Sequence, residues 1–264
     1  MRIIIFTADH LYANVVLKDL VGNFKKDIKQ VVISKVILHK HSLIVSLKKY
    51  FLISGIYYFL AQVFKLEIYK ILSSVVKNKK NKFYSFKHLL KNEKIPVVSA
   101  VDVNSRLFIR KIAKINPDLI ISVFFNQILS PEIIKLSKKG AINIHPAYLP
   151  NYKGVSPVFW ALANSEKFSG VSVHYINEDI DTGGIIYRKK IPISKNDGED
   201  SLYLRTAREG VVLLTKAIND ISKGRVKTVN NTRGTYFSLP TKAAVEKFKK
   251  KGRNFFRIRE YIFK

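Results

Sequence analysis

The chain has 264 residues, 47% of them hydrophobic, which is enough to bury one full core and too apolar for a disordered protein. It has no cysteine, so disulfides, thiolate nucleophiles and cysteine-held zinc are excluded, and a reducing, cytoplasmic setting is expected. A formal charge of +28, from 36 lysines and 11 arginines, invites a nucleic-acid or anionic-membrane partner, yet a Lys-, Ile- and Asn-rich chain is also what an AT-rich genome encodes.

Arg2 to Thr7 is a continuous β-rich run that reads as a buried first strand; as an apolar run it is too short for a signal peptide and is broken by Asp9 and His10. A helix is predicted from Tyr12 to Phe24, with Val15, Val16, Leu20 and Val21 at helical spacing, and a second strand over Gln30 to Val36. The stretch 37–90 is longer than a crossover requires and reads as a helical insertion. Its longest apolar run, Phe51 to Phe64, has 14 residues, fewer than the roughly 20 of a spanning helix, so a buried or interfacial helix is expected. The run Lys77-Asn78-Lys79-Lys80-Asn81-Lys82 reads as a solvated loop.

Strands follow at Ile95 to Val98, Leu119 to Phe124 and Ala141 to His145, with a helix over Ser105 to Ile115. Beyond a Pro-rich turn come a helix at Val158 to Asn164, strands at Gly170 to Ile176 and Gly184 to Ile193, and a long helix from Ser201 to Ser222. This alternation predicts an α/β fold, Rossmann-like, with a mostly parallel sheet covered by helices on both faces. Tyr236 to Lys264 holds a short strand, a helix opened by Pro240-Thr241, and a basic end containing Lys249, Lys250, Lys251, Arg253, Arg257 and Arg259.

The most informative segment is Asn143-Ile144-His145-Pro146, which leaves a buried strand, followed by Asp181-Thr182-Gly183-Gly184. Residues i and i+2 of a strand share a face, so the Asn143 amide and the His145 imidazole lie together at the carboxyl end of the sheet, where open α/β sheets bind ligands. His10, His39, His41 and His88 have no partner at metal-ligand spacing, and no metal is expected.

With these residues, with Leu-Pro-x-Tyr-Lys-Gly at 149 to 154, and with the run from Val173 to Ile186, the sequence resembles the folate-dependent formyltransferases. Within that superfamily it is most similar to the catalytic domain of the methionyl-tRNA and sugar-nucleotide enzymes, and less so to glycinamide ribonucleotide formyltransferase. The resemblance implies a catalytic domain over 1–225 and a short basic C-terminal appendage over 226–264. It implies 10-formyltetrahydrofolate as formyl donor and a primary amine as acceptor. Asn143 and a protonated His145 would steady the carbonyl oxygen as it gains charge, and Asp181 would relay protons. His174 would support them from behind. Phe125, Gln127 and Leu129, with Glu178 and Ile180, would border the pterin, chiefly through backbone.

The acceptor is less directly legible. The first βα turn, Thr7 to Tyr12, has no glycine, which argues against the ribose-phosphate cradle of the purine branch. Only 42 residues follow Ser222, too few for the tRNA-gripping barrel of the methionyl-tRNA branch. The expected acceptor is therefore the amino group of a nucleotide-linked amino sugar. The alternatives are a trimmed methionyl-tRNA enzyme that uses its basic tail on tRNA, and a membrane-surface or scaffold protein with an inactive core. Peripheral membrane contact and a homo-oligomer complete the expected partners.

Overall fold

A computed structural model describes residues 1–36, 43–75 and 86–256. The Lys77 to Lys82 run, His39, His41, Arg257 and Arg259 lie outside the described residues. In chain order the elements are β1 (Ile3–Thr7), α1 (Leu11–Phe24), β2 (Ile28–Ser34), α2 (Leu43–Val75), α3 (Phe86–Asn92), β3 (Val97–Ala100), α4 (Arg106–Ile115), β4 (Leu119–Val123), α5 (Pro131–Lys135) and β5 (Ala141–His145). They continue with β6 (Lys153–Gly154), α6 (Pro157–Ala163), β7 (Phe168–Tyr175), β8 (Ile185–Pro192), α7 (Glu199–Ser222), β9 (Tyr236–Phe237) and α8 (Lys242–Lys250).

Seven strands form one sheet in the order β3-β2-β1-β4-β5-β7-β8. The first five run parallel, and β7 and β8 close the edge antiparallel. Every residue of β1 and β4 is buried, because parallel strands are covered on both faces. Alternation divides the core in two: Ile3 and Ile5 pack with α1, α6 and α7, while Ile4 and Phe6 pack with α4 and α5. Strand order reverses on either side of β1 and β4, so the carboxyl ends of β1, β4 and β5 open onto one crevice.

The insertion departs from its sequence reading. Instead of a helix confined to Phe51 to Phe64, α2 runs 33 residues and kinks at Gly55, whose φ of 78° and ψ of 172° interrupt the helical backbone. Lysines and single polar residues divide its apolar runs in the sequence, which hid the true length. The segment Ile44–Ser74 is long and apolar enough to cross a membrane, with a mean hydropathy of 1.4, and 17% of its most apolar window is buried.

The C-terminal segment folds back on the domain. β9 pairs with β6, and Thr241 Oγ1 caps α8 by accepting from the Ala244 N–H at 3.3 Å. α8 lies against α2 and α6, with the Phe248 and Phe159 rings 5.1 Å apart.

Candidate active site

β5 carries Asn143 and His145 to the crevice on one face, as strand alternation requires. The antiparallel register of β7 sets His174 directly across from Asn143. Asp181 arrives from the loop between β7 and β8 with φ of 53°, a left-handed conformation fixed by its surroundings. Two residues on, a Cβ at Gly183 would stand 1.9 Å from the Tyr175 carbonyl oxygen, so only glycine lets the loop close there.

The side chains form one connected set. His174 Nδ1–H donates to the Tyr175 carbonyl at 2.7 Å, and its Nε2 lies 3.2 Å from Asn143 Nδ2 and 3.4 Å from Asp181 Oδ1. Asn143 Nδ2 also donates to Asp181 Oδ1, more loosely, at 3.4 Å. Asp181 Oδ2 accepts from the Gly154 backbone N–H at 2.9 Å and lies 3.4 Å from His145 Nδ1. His145 Nε2–H donates to the Tyr152 carbonyl at 2.8 Å, so Nδ1 is the ring nitrogen left to gain or lose a proton.

Electrostatics assign the proton. Burial opposes charge on Asp181, but His145, His174 and the Gly154 N–H outweigh it and hold the carboxyl well below its usual range. Burial lowers the His145 pKa from its ordinary value, with partial compensation from Asp181 and the Tyr152 carbonyl. Burial therefore works against the imidazolium at His145, while the Asp181 carboxylate beside Nδ1 works for it.

These residues line one end of a cavity of about 940 Å³, together with the segments 124–129 and 176–181. Phe125 is half-buried against Phe6, and Ile128 and Ile180 are exposed where they line the cavity. The Gln127 side chain is committed elsewhere, accepting from Val103 N–H at 3.3 Å and donating to Ser34 Oγ at 2.9 Å. Leu129 packs in the core, and Glu178 lies exposed at the rim. Phe125, Gln127, Leu129, Glu178 and Ile180 thus all line the cavity, with the Gln127 side chain tied into the loop beneath it.

Sequence reasoning misses Asn231. Its Nδ2 donates to the Asp181 carbonyl at 2.8 Å and the Gly183 carbonyl at 2.9 Å, pinning the strained loop from a segment 50 residues on. Nothing in Asn230-Asn231-Thr232 signals this. Also missed is the polar inner face of α2. Lys65 Nζ lies 2.7 Å from Glu199 and 2.8 Å from Asp200, and Tyr69 O–H donates to Asp9 at 2.8 Å. Tyr12 stacks on Tyr203 with ring centroids 4.4 Å apart. Asp9, Tyr12, Lys65, Tyr69, Glu199 and Tyr203 line the same cavity as the catalytic set.

A family model described as formyl transferase matches residues 57–218, more than half of the chain. The chain belongs to the formyl transferase family. Its most similar curated relatives include the bifunctional polymyxin resistance protein ArnA of Wigglesworthia glossinidia brevipalpis, 36% identical over 62% of this chain and 23% of that protein. Methionyl-tRNA formyltransferase of Halothermothrix orenii is 37% identical over 49% of this chain and 41% of that protein. The chain thus spans less than half the length of either relative. Among solved structures, WlaRD, a sugar 3N-formyl transferase crystallised in the presence of dTDP and 5-N-formyl-THF, shares the fold. Its TM-score is 0.57 at 22% identity, over 90% of this chain and 70% of that one.

Proposed function

We propose that this formyl transferase family member moves a formyl group from 10-formyltetrahydrofolate to a primary amine, the amino group of a nucleotide-linked amino sugar. The observation that carries the reading is the connected set Asn143, His174, Asp181 and His145 in a cavity that Tyr12, Tyr58, Tyr69 and Tyr203 also line. The apolar side chains of Phe125, Ile128 and Ile180 beside looped main chain suit a flat heterocycle such as a pterin. The donor supplies the formyl carbon, already at the oxidation level of the product.

The chain's own residues do the rest. The Asn143 N–H held loosely by Asp181 is the one released to a carbonyl oxygen that gains negative charge. One such preorganised donor contributes about 2.7–4 kcal/mol in acyl-transfer sites. Asp181 passes the amine proton to His145 Nδ1, the ring nitrogen that faces it and is not engaged by the Tyr152 carbonyl. The carboxylate then steadies the imidazolium until the proton returns to the departing nitrogen. Asp181 itself, with its depressed pKa, is relay and counter-charge, not the resting place of the proton.

The sugar 3N-formyl transferase that shares this fold favours a sugar acceptor, and the stacked Tyr12 and Tyr203 rings offer apolar faces for a pyranose. The test is tetrahydrofolate release with 10-formyltetrahydrofolate and a panel of amino-sugar nucleotides, with methionyl-tRNA alongside and His145→Ala as control. Turnover with a sugar nucleotide that disappears in the control is expected. Turnover with charged tRNA alone would overturn the acceptor, and turnover indifferent to His145→Ala would overturn the site.

A further inference from the structure

Beyond its kink, α2 is amphipathic in the reverse sense of a surface helix. The face turned to the domain carries polar groups with their partners: Tyr58, Lys65 and Tyr69 are buried there, and Lys65 is paired to Glu199 and Asp200. The opposite face repeats apolar residues at helical spacing, with Ile56, Leu60, Phe64 and Ile71 all exposed. None of these four lines the catalytic cavity. The one acidic residue on this face, Glu67, is neutralised by Lys70 at 2.7 Å. Alongside, α8 exposes Lys247, Lys249 and Lys250, with the Lys249 ammonium 3.2 Å from the Tyr57 ring centroid.

We propose that the outer face of α2 from Ile56 to Ile71 seats on an anionic lipid bilayer, with the helix lying in the interface and the lysines of α8 meeting lipid phosphates. Crossing the bilayer would strip Lys65 from Glu199 and Asp200 and leave buried charges of both signs unpaired, so the helix lies on the surface and does not span. A second copy of this chain is disfavoured as the cover, because each copy carries +28 and would bring its own α8 lysines to the contact. An anionic headgroup layer supplies the missing countercharge, and its acyl region takes the apolar stripe. This docking stands apart from formyl transfer and is tested without it.

The full chain is sedimented with phosphatidylcholine vesicles with and without phosphatidylglycerol, at low and high salt. Binding is expected with the anionic vesicles, weakened by salt. Leu60→Asp with Ile71→Asp should reduce partition by roughly tenfold or more, as buried side chains of this size contribute on that scale. Both positions are exposed, so the melting temperature of the double variant without vesicles should be unchanged. Lys247→Glu with Lys250→Glu, on α8 beside the stripe, should also weaken binding. Absence of binding to anionic vesicles would overturn the proposal. So would binding indifferent to the Asp pair, or a dimer in sedimentation velocity that the Asp pair dissolves.

Discussion

Replacing Lys65 by Met tests the strut that holds the insertion onto the sheet domain. The Lys65 ammonium touches two carboxylates whose side chains are 4% and 0% exposed, and Met preserves its apolar stem, so the substitution removes charge and little else. Glu199 and Asp200 are then left together in an apolar setting, with the Tyr12 hydroxyl and Gln62 as neighbours. Removing one partner of a buried ion pair costs about 3–5 kcal/mol. At about 2–4 °C per kcal/mol for a domain of this size, the melting temperature should fall by roughly 10 °C. The pH dependence has a definite sign. Burial raises the Glu199 pKa above its ordinary value even with Lys65 offsetting it. Without the lysine it rises further, and the folded variant holds a proton that the unfolded chain has released. Folded-state proton uptake makes stability fall as pH rises, so the deficit is largest at neutral and alkaline pH and shrinks towards the ordinary carboxyl range. Urea denaturation across that range measures it, and Lys65→Met with Glu199→Gln should recover a large part of the loss. A deficit below about 1 kcal/mol, the scale of an exposed pair, would refute the reasoning, as would a deficit that does not vary with pH.

Asp181→Asn keeps the shape of the loop and removes the countercharge; kcat should drop by about 10²–10⁴-fold, with the acid limb of the remaining activity displaced to lower pH because His145 loses the group that favours its charged form. Asn231→Ala leaves the Asp181 and Gly183 carbonyls without their donor, for about 1–3 kcal/mol of stability, and kcat should fall while the melt remains cooperative. Gly210→Ala would put a Cβ 2.3 Å from Ile144 Cδ1 and 2.9 Å from a Val171 methyl, destabilising by about 1–3 kcal/mol, and Ile144→Val, which deletes the nearer atom, should restore part of it in a urea titration.

The parts of this fold that were legible in the sequence are those governed by local rules. The continuous apolar runs of β1 and β4 announce doubly covered parallel strands, and Asn143 with His145 falls on one face because alternation leaves no other choice. Asp181 was reachable because a turn with two glycines narrows where its side chain can go. What was hidden depends on long-range placement. The extent of α2 was obscured by its polar residues, which are inner-face anchors such as Lys65 and Tyr69 and not breaks in a helix. Asn231 is a common residue in a polar stretch, and its two buried bonds exist only once β8 and the segment 226–235 are folded together. The lowered pKa of His145 follows from burial, and motif spacing carries no information about it.

The acceptor end of the cavity can be argued one step further from the first βα turn. A phosphate cradle needs free N–H groups at the start of a helix. At the start of α1 that place is taken by a side chain: His10 Nδ1 accepts from the Ala13 N–H at 3.3 Å, and burial pushes the His10 pKa down to about 4, so the ring is neutral at physiological pH and draws no anion. The surrounding charges point the same way. Asp9 is answered by Lys87 at 2.8 Å, and Glu199 and Asp200 by Lys65, so these two cations already have carboxylate partners. An amine brought to Asn143 and Asp181 past the start of α1 therefore meets paired charges and stacked tyrosines there, and any phosphate it carries is held away from that helix start. Inorganic phosphate and a phosphoribosyl amine should neither accept formyl groups nor compete with the true acceptor at concentrations that saturate it. Competitive inhibition by either one, lost in a variant at His10, would establish an anion site where the structure places a capped helix, and would return the purine-type acceptor to consideration.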